Sequence, residues 1–462
     1  MEMRLVLFLA IAASTGSAAP PNFVFIFSDD QAWNGLSKRM IRDLPESGSD
    51  YHLTPNIDSL GIEGMTFSRA YAAAPKCEPS RYAITFGMTT TSLNAPDKRT
   101  AVNLRADSRH SLANALKEAN SSYRAATFGK WQLARSQREL GFDRDDGKIT
   151  QNQDGQPADP RNPKRMFELT DKGNRFMEDS VAAGHPFYLQ LWHYAVHGPN
   201  QSLPESLDQW RARPPGRLHR DPTRAAMAAD FDRAVGMTLA KIDELGIRDS
   251  TYVFYMSDNG GPTRYLRGGK TNVTEGGLRV PLMVRGPGIK ADAYCDTPVV
   301  AYDLLPTILD LADAGVAPPP RIEGGSWKPL LLSGCAEDVA RAKDPMVFFF
   351  AEARGRDAGP QAAIMSGKFK LFYSWGQASA ASLYDVSTDI RETRDIAAEH
   401  PDLAADLQRQ LMDHLRDGLG AATLARIETG EAATTPARRG RARTRPRQRP
   451  ARRDRSPAPS PQ

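Results

Sequence analysis

Three apolar runs in this chain end the same way. Pro21–Phe27, Pro186–Trp192 and Thr251–Met256 are dominated by Phe, Val, Ile, Leu and Tyr, and each leads straight into polar groups: Asp29-Asp30, His193 with His197, and Asp258-Asn259. Runs of this length without a regular polar face predict strands covered on both sides. Between them, Ser111–Ala119, Thr223–Leu245 and Asp303–Ala314 read as helices. Strands alternating with helices predict an α/β fold with a largely parallel sheet between helices. In such a sheet, polar residues just past the strand ends gather from distant segments into one site.

The pattern changes near Met346. Met346–Ala351, Ala362–Ser366, Phe369–Ser374 and Ala381–Asp385 read as short antiparallel strands, and Asp402–Leu415 places Leu403, Leu407, Leu411 and Leu415 at i, i+4 spacing, the stripe of an amphipathic closing helix. This predicts a small α+β subdomain. At the other end, Arg4, the apolar run Leu5–Ala13 and the small residues Ser14–Ala19 have the layout of a secretory signal cleaved near Ala18 or Ala19. The expected domains are a signal peptide at 1–19, a main domain at 20–345, the subdomain at 346–418 and a disordered tail at 419–462. No later apolar run is long enough to cross a bilayer, so a secreted or periplasmic protein is expected.

A chain of 462 residues with 40% hydrophobic content can bury one large core and a smaller appendage. The net charge of +5 misleads, because residues 436–462 hold ten arginines against the single acid Asp454 and the rest of the chain is slightly acidic. That balance gives no reason to expect a nucleic-acid partner. An Arg/Pro run cannot build a core; it is either a tether for an anionic polymer or a solvated extension. Three cysteines exclude a disulfide-built scaffold, and Cys295 and Cys335 either pair in an oxidising compartment or remain thiols.

Hard oxygen donors collect at two strand ends. Asp29, Asp30, Asp258 and Asn259 would repel one another if left bare. A divalent cation resolves this, and an all-oxygen set with an amide suits Ca2+ better than zinc, with Mg2+ open. Each pair is also ordinary turn chemistry, Asp258-Asn259-Gly260-Gly261 above all. Cys77-Glu78-Pro79-Ser80-Arg81 places a thiol before a helix-compatible run, where a lone Cys is equally a small packing residue. Lys130 follows Gly129, Lys270 follows Gly268-Gly269, and His197 precedes Gly198-Pro199.

Taken in order, these segments resemble the type I, formylglycine-dependent sulfatases of the alkaline phosphatase superfamily. The likeness runs from Pro21 to about His414. It comprises Asn22–Asp30, Thr54-Pro55-Asn56-Ile57-Asp58, Cys77–Arg81, Gly129-Lys130-Trp131, Val196-His197-Gly198-Pro199, Ser257-Asp258-Asn259-Gly260 and Gly268-Gly269-Lys270, then Glu275–Pro281, Asp303–Leu311 and Leu383-Tyr384-Asp385. The resemblance implies an alkaline phosphatase-like fold, a large mixed, mostly parallel sheet between helices with a smaller C-terminal α+β subdomain. It implies that a formylglycine-generating enzyme oxidises Cys77 to formylglycine (3-oxoalanine). It also implies that Asp29, Asp30, Asp258, Asn259 and the modified residue 77 hold Ca2+ or Mg2+. In the family's mechanism one hydroxyl of the hydrated aldehyde attacks the ester sulfur and releases the alcohol; the second then collapses to the aldehyde and expels sulfate. Lys130, Lys270 and Arg81 would spread the transition-state charge, Arg81 would fix the diol, and His197 would protonate the departing oxygen.

One position departs from the family. Its members usually carry His two places after the motif lysine, where this chain has Gln132. An amide can orient but cannot take a proton near neutral pH, so His193 or water substitutes, or turnover is slower. The inserts Trp33–Tyr51, Asp143–Arg165 and Ser202–Arg220 are expected to rim the pocket, with Trp33, Tyr51, Trp210, His219 and several Arg suited to a sulfated oligo- or polysaccharide. Two alternatives stand beside a carbohydrate sulfatase: a phosphodiesterase or phosphonate hydrolase using the same aldehyde, and a silent binder of sulfated glycans.

Overall fold

The three apolar runs lie side by side at the centre of an eight-stranded sheet. The computed structural model describes residues 19–93, 106–147, 159–313, 315, 318–355, 358–375 and 380–429. Its first ten strands are β1 (Asn22–Ser28), β2 (Met65–Phe67), β3 (Ala70–Tyr71), β4 (Arg124–Gly129), β5 (Arg144–Asp145), β6 (Phe187–Trp192), β7 (Thr251–Ser257), β8 (Leu282–Arg285), β9 (Ala293–Cys295) and β10 (Val299–Val300). The large sheet has the order β5-β4-β6-β1-β7-β8-β2-β9, and β3 and β10 form a separate short pair. From β5 to β7 every pairing is parallel; β8 is antiparallel to both its neighbours. The sheet is thus mixed and mostly parallel, as expected.

Both faces of the sheet are covered, which explains why the strands lack alternation. Phe23, Phe25 and Phe27 of β1 enter one core layer, shared with the helices Cys77–Phe86, Leu112–Ala119 and Leu304–Leu311. Val24 and Ile26 enter the other, against Met166–Ala182 and Pro222–Glu244. The register decides where the polar residues emerge. Phe27 stands opposite Trp192 and Met256, Ser28 opposite Ser257, and Gly129 opposite Trp192. Parallel strands ending level deliver Asp29, His193, Asp258 and Lys130 to the same edge. Gly129 is required for this closeness: its φ is 109°, and a Cβ there would sit 2.0 Å from the Trp192 carbonyl oxygen.

The C-terminal part forms a four-stranded antiparallel meander of β11 (Met346–Ala353), β12 (Gly359–Ser366), β13 (Phe369–Ser374) and β14 (Ala380–Asp385). The helix Pro401–Leu419 lays Leu407, Leu411 and Leu415 on it, each fully buried leucine being worth about 1.5–3 kcal/mol. The expected boundary of a disordered tail at 419 needs correction. A further helix, Ala421–Glu428, buries Leu424 and Ile427 in the same core. Its apolar signal is only two residues long and borders the arginine-rich run, which is why composition masked it. The expected tail from 430 onward and the signal peptide up to residue 18 lie outside the described residues.

A buried ionic cluster joins the two sheets. Lys370 Nζ, on β13, lies 2.9 Å from Glu275 Oε1 and 2.9 Å from Glu392 Oε1, and Arg279 Nε lies 2.5 Å from Glu275 Oε2; all four side chains are fully enclosed. Burial opposes ionisation of Glu275, but Lys370 and Arg279 hold its carboxyl down to about 2. Burial raises Glu392 instead, against the pull of Lys370. Cys295 and Cys335, left open by the sequence, form a disulfide with a Cα–Cα separation of 5.3 Å.

Candidate active site

Cys77 is the first residue of the buried helix Cys77–Phe86, whose positive end faces the edge of the sheet where the strand-end acids emerge. Its Sγ is 3.4 Å from Asp29 Oδ1 and 3.9 Å from Asp30 Oδ1. Two ammonium groups approach the same sulfur, Lys270 Nζ at 3.2 Å and Lys130 Nζ at 3.8 Å. Each lysine also pairs with an acid: Lys130 with Asp29, and Lys270 with Asp30 Oδ1 at 2.7 Å. Arg81, one helical turn below Cys77 and wholly buried, donates to Asp258 Oδ2 at 2.8 Å, lies 3.4 Å from Asp29 Oδ2, and donates to the Lys130 carbonyl at 3.1 Å. Its guanidinium packs against the neighbouring rings of Phe27 and Trp192, 5.1 and 4.9 Å from their centroids.

Backbone geometry fixes the acids. Asp29 N–H donates to Ala195 O and Val196 N–H to Asp29 O, each at 2.8 Å, so the loops after β1 and β6 are tied together. Asp30 turns the chain with φ 56°, and its N–H donates to Asp258 Oδ1 at 3.1 Å. Lys270 is held from two sides. Thr271 N–H donates to the Pro75 carbonyl at 2.8 Å, and Gly277 packs so tightly under the loop that a Cβ would lie 2.0 Å from Asn272 O and 2.4 Å from Gly269 O.

The electrostatics favour an added cation. Burial opposes ionisation at Asp29, yet Lys130 and Arg81 hold its carboxyl below the usual range; at Asp258, burial and the charge of Asp29 raise the pKa despite Arg81. Positive side chains alone therefore do not satisfy the acids. Asn259 donates through Nδ2 to Asp30 Oδ1 at 2.7 Å, while its Oδ1 is buried without a hydrogen-bond partner, a bare acceptor beside the acids. Asp29, Asp30, Asp258 and Cys77 offer ligand atoms within 4.8 Å of one another, so this cluster can hold a metal ion, and the hard oxygens fit a divalent cation. Burial pushes the Cys77 thiol well above its usual value, with Asp258 and Asp29 adding to the shift. As a thiol it stays protonated and is a poor nucleophile.

Comparison with known proteins identifies the chain. Residues 21–314 match the sequence model of the sulfatase family. The chain belongs to that family. Residues 269–418 of this sulfatase also match the model described as N-sulphoglucosamine sulphohydrolase, C-terminal. It is similar to arylsulfatase A of Bos taurus, 27% identical over 463 residues covering 88% of this chain and 85% of the relative. It is also similar to N-acetylgalactosamine-6-sulfatase of Canis lupus familiaris, 29% identical over 431 residues covering 81% and 76%. In fold it resembles the solved structure of Ps i-CgsB, with TM-score 0.73 and 23% identity, covering 90% of this chain and 98% of that one. The sulfatase is accordingly a sulfuric ester hydrolase.

The remaining expected residues fall into different places. His197 stands at the rim, its Nδ1 2.6 Å from the Gly198 carbonyl, which turns Nε2 toward Asp30 Oδ2 at 3.6 Å. His193 is enclosed, packs edge-on against Phe231, and is driven by burial to about 3, an environment that favours the neutral ring. Gln132 is half-buried with Oε1 unpartnered. The expected aromatic rim is corrected. Trp33, Tyr51 and Trp210 are buried, and Tyr51 donates to the Trp210 carbonyl at 2.7 Å in a small core of their own. Sequence reasoning missed Arg224, whose Nη2 donates to the Asp30 carbonyl at 2.6 Å. It sits in the first turn of a long helix with no motif around it, and only its position after the helix-capping Asp221 could have drawn attention to it.

Proposed function

We propose that this sulfatase releases inorganic sulfate from a sulfated carbohydrate after Cys77 has been converted to formylglycine, with Ca2+ held by Asp29, Asp30, Asp258 and Asn259. The observation that carries the reading is the convergence of Lys130, Lys270, Asp29 and Asp30 within 3.9 Å of a single buried sulfur at a helix start. When present, the hydrated aldehyde supplies a hydroxyl nucleophile for the ester sulfur, and the cation supplies fixed positive charge beside it. Lys130 and Lys270 bind the sulfate oxygens as charge builds on them, and being fixed in place they need no reorganisation. Arg81 favours the ionised form of Asp29 and aligns Asp29 and Asp258 from below. His197 delivers a proton to the departing alcohol from the open side, and Gln132 orients without exchanging a proton.

The disulfide between Cys295 and Cys335 supports an oxidising destination, in keeping with an N-terminal secretory signal. Among the described residues no helix is long and apolar enough to cross a membrane. The named partner in maturation is a formylglycine-generating enzyme. The deciding experiment is mass spectrometry of the peptide spanning residue 77 from cells with and without that enzyme, paired with sulfate-release assays over sulfated oligosaccharides and matched phosphate esters. Aldehyde-dependent release of sulfate in preference to phosphate is expected. An unmodified thiol in fully active protein refutes the proposal.

A further inference from the structure

Two cavities open side by side next to the Lys270 loop. One, of about 470 Å³, is lined by residues including His219, Arg220, Arg224 and Arg264; the other, of about 770 Å³, by residues including Arg264, Arg354 and Arg391. Arg264 and Gly268 line both, so the two adjoin along one arginine-rich surface, the trough. Both cavities lie near the residues of the reacting centre. Gly268 is two residues from Lys270, a reach of at most about 7 Å, and Arg224 grips the Asp30 carbonyl. A sugar whose sulfate lies against Cys77 would have its neighbours within reach of this space.

The trough carries unbalanced positive charge. Arg220, Arg264, Arg354 and Arg391 make no ion pair with a carboxylate among the described residues, and Arg391 instead lies 5.5 Å from the Tyr265 ring. The acids on the walls are fewer: Glu392 is paired with Lys370, and Asp221, held by Asn200 and Thr223, offsets one of the arginines. Scattered surface arginines are commonplace, but these come from four separate segments of the chain and meet around one cavity. Planar guanidinium forks suit sulfate and carboxylate oxygens. We propose that this trough binds a second anionic substituent, a sulfate ester or carboxylate, one or two sugars from the reacting sulfate, so that the enzyme's substrate is a multiply charged glycan. The inference rests on the carbohydrate-sulfatase reading above.

The test compares kcat/KM on a trisulfated disaccharide and on its monosulfated counterpart, using full-length protein throughout so that the arginine-rich C-terminus is common to all samples. The trisulfated substrate is preferred by the wild type. In Arg264→Ala and in Arg264→Ala/Arg391→Ala the ratio falls about tenfold per lost contact, about 1.4 kcal/mol each, mainly through KM. Arg409→Ala, an exposed arginine of the closing helix, keeps the wild-type ratio. The wild-type preference also weakens with added salt. A double variant with an unaltered ratio overturns the proposal. Calorimetric binding of a dextran sulfate oligosaccharide to Cys77→Ala protein, with and without the two arginine substitutions, decides the matter without turnover: weaker binding in the arginine variant supports the trough, and equal binding overturns it. Protein that binds as expected but desulfates nothing would instead refute the formylglycine reading.

Discussion

Lys370→Met removes the cation that, among the described residues, pairs directly with Glu392. In the native protein Lys370 Nζ is 2.9 Å from each of two buried carboxylates, while Arg279 contacts only Glu275 among these acids. Methionine fills much of the same volume but leaves Glu392 as an uncompensated buried charge. Breaking a buried pair from one side costs about 3–5 kcal/mol. The loss should reach the active site, because Glu392 Oε2 accepts from Glu275 N–H at 2.9 Å, and Gln361 of the same sheet accepts from Val273 N–H at 3.1 Å. These contacts anchor the loop carrying Lys270, so kcat falls with stability. Without its ammonium partner Glu392 rises further above its ordinary 4.5. The folded variant then binds more protons than the unfolded chain between those two values, so the stability this carboxyl contributes is fully present below about 4.5 and is lost as pH rises through the folded value. The deficit against wild type is therefore larger at pH 8 than at pH 5. Adding Glu392→Gln neutralises the stranded charge and should return all but about 1–2 kcal/mol, the residue of lost hydrogen bonds. Urea unfolding followed by tryptophan fluorescence, with sulfate release measured in parallel, checks each step. A Lys370→Met deficit under about 1 kcal/mol, or a double variant no more stable than the single one, would show that this cluster does not join the sheets.

Three further outcomes are expected. Gln132→His keeps the fold and is at least as active as wild type in sulfate release; a drop of tenfold or more would mean that the amide makes a contact imidazole cannot replace. Dialysis against a chelator lowers both activity and melting temperature, and Ca2+ restores both, since a ligand bound only by the folded state stabilises it; full activity in protein shown by elemental analysis to be metal-free would refute the metal assignment. Cys295→Ser with Cys335→Ser lowers the unfolding free energy by about 2–4 kcal/mol under non-reducing conditions, measured by denaturant titration, while reductant has no added effect on the double variant.

Much of the architecture could be read from the chain because its central strands are buried on both faces. A run such as Phe23–Phe27 has one plausible home, and once several such strands lie parallel and level, the polar residues after them must meet. The antiparallel meander and its leucine-striped helix were equally legible. The failures share a different cause. Aromatic residues in a loop can cover a pocket or fill a core, and nothing local to Trp33, Tyr51 or Trp210 distinguishes the two; the packing of Tyr51 on Trp210 across 159 positions decides it. Lys370 sits between apolar neighbours in a strand and reads as a solvent-facing charge, because its acids come from positions 275 and 392. Of the trough's basic residues only His219 and Arg220 lie in an insert expected to rim the pocket; Arg264, Arg354 and Arg391 are silent, because a cavity built by four segments has no spacing.

The depth of Cys77 sets a timetable for the molecule. With only 4% of its surface accessible, beneath two lysines and at the head of a helix whose every residue is buried, this side chain is out of reach of any other enzyme once the body has closed over it. On the formylglycine reading proposed above, the enzyme that oxidises it would have to act while the segment is still an open strand of polypeptide, during synthesis or export. Maturation would then be a race, with the yield of working protein set by how slowly the chain folds as much as by how fast its partner works.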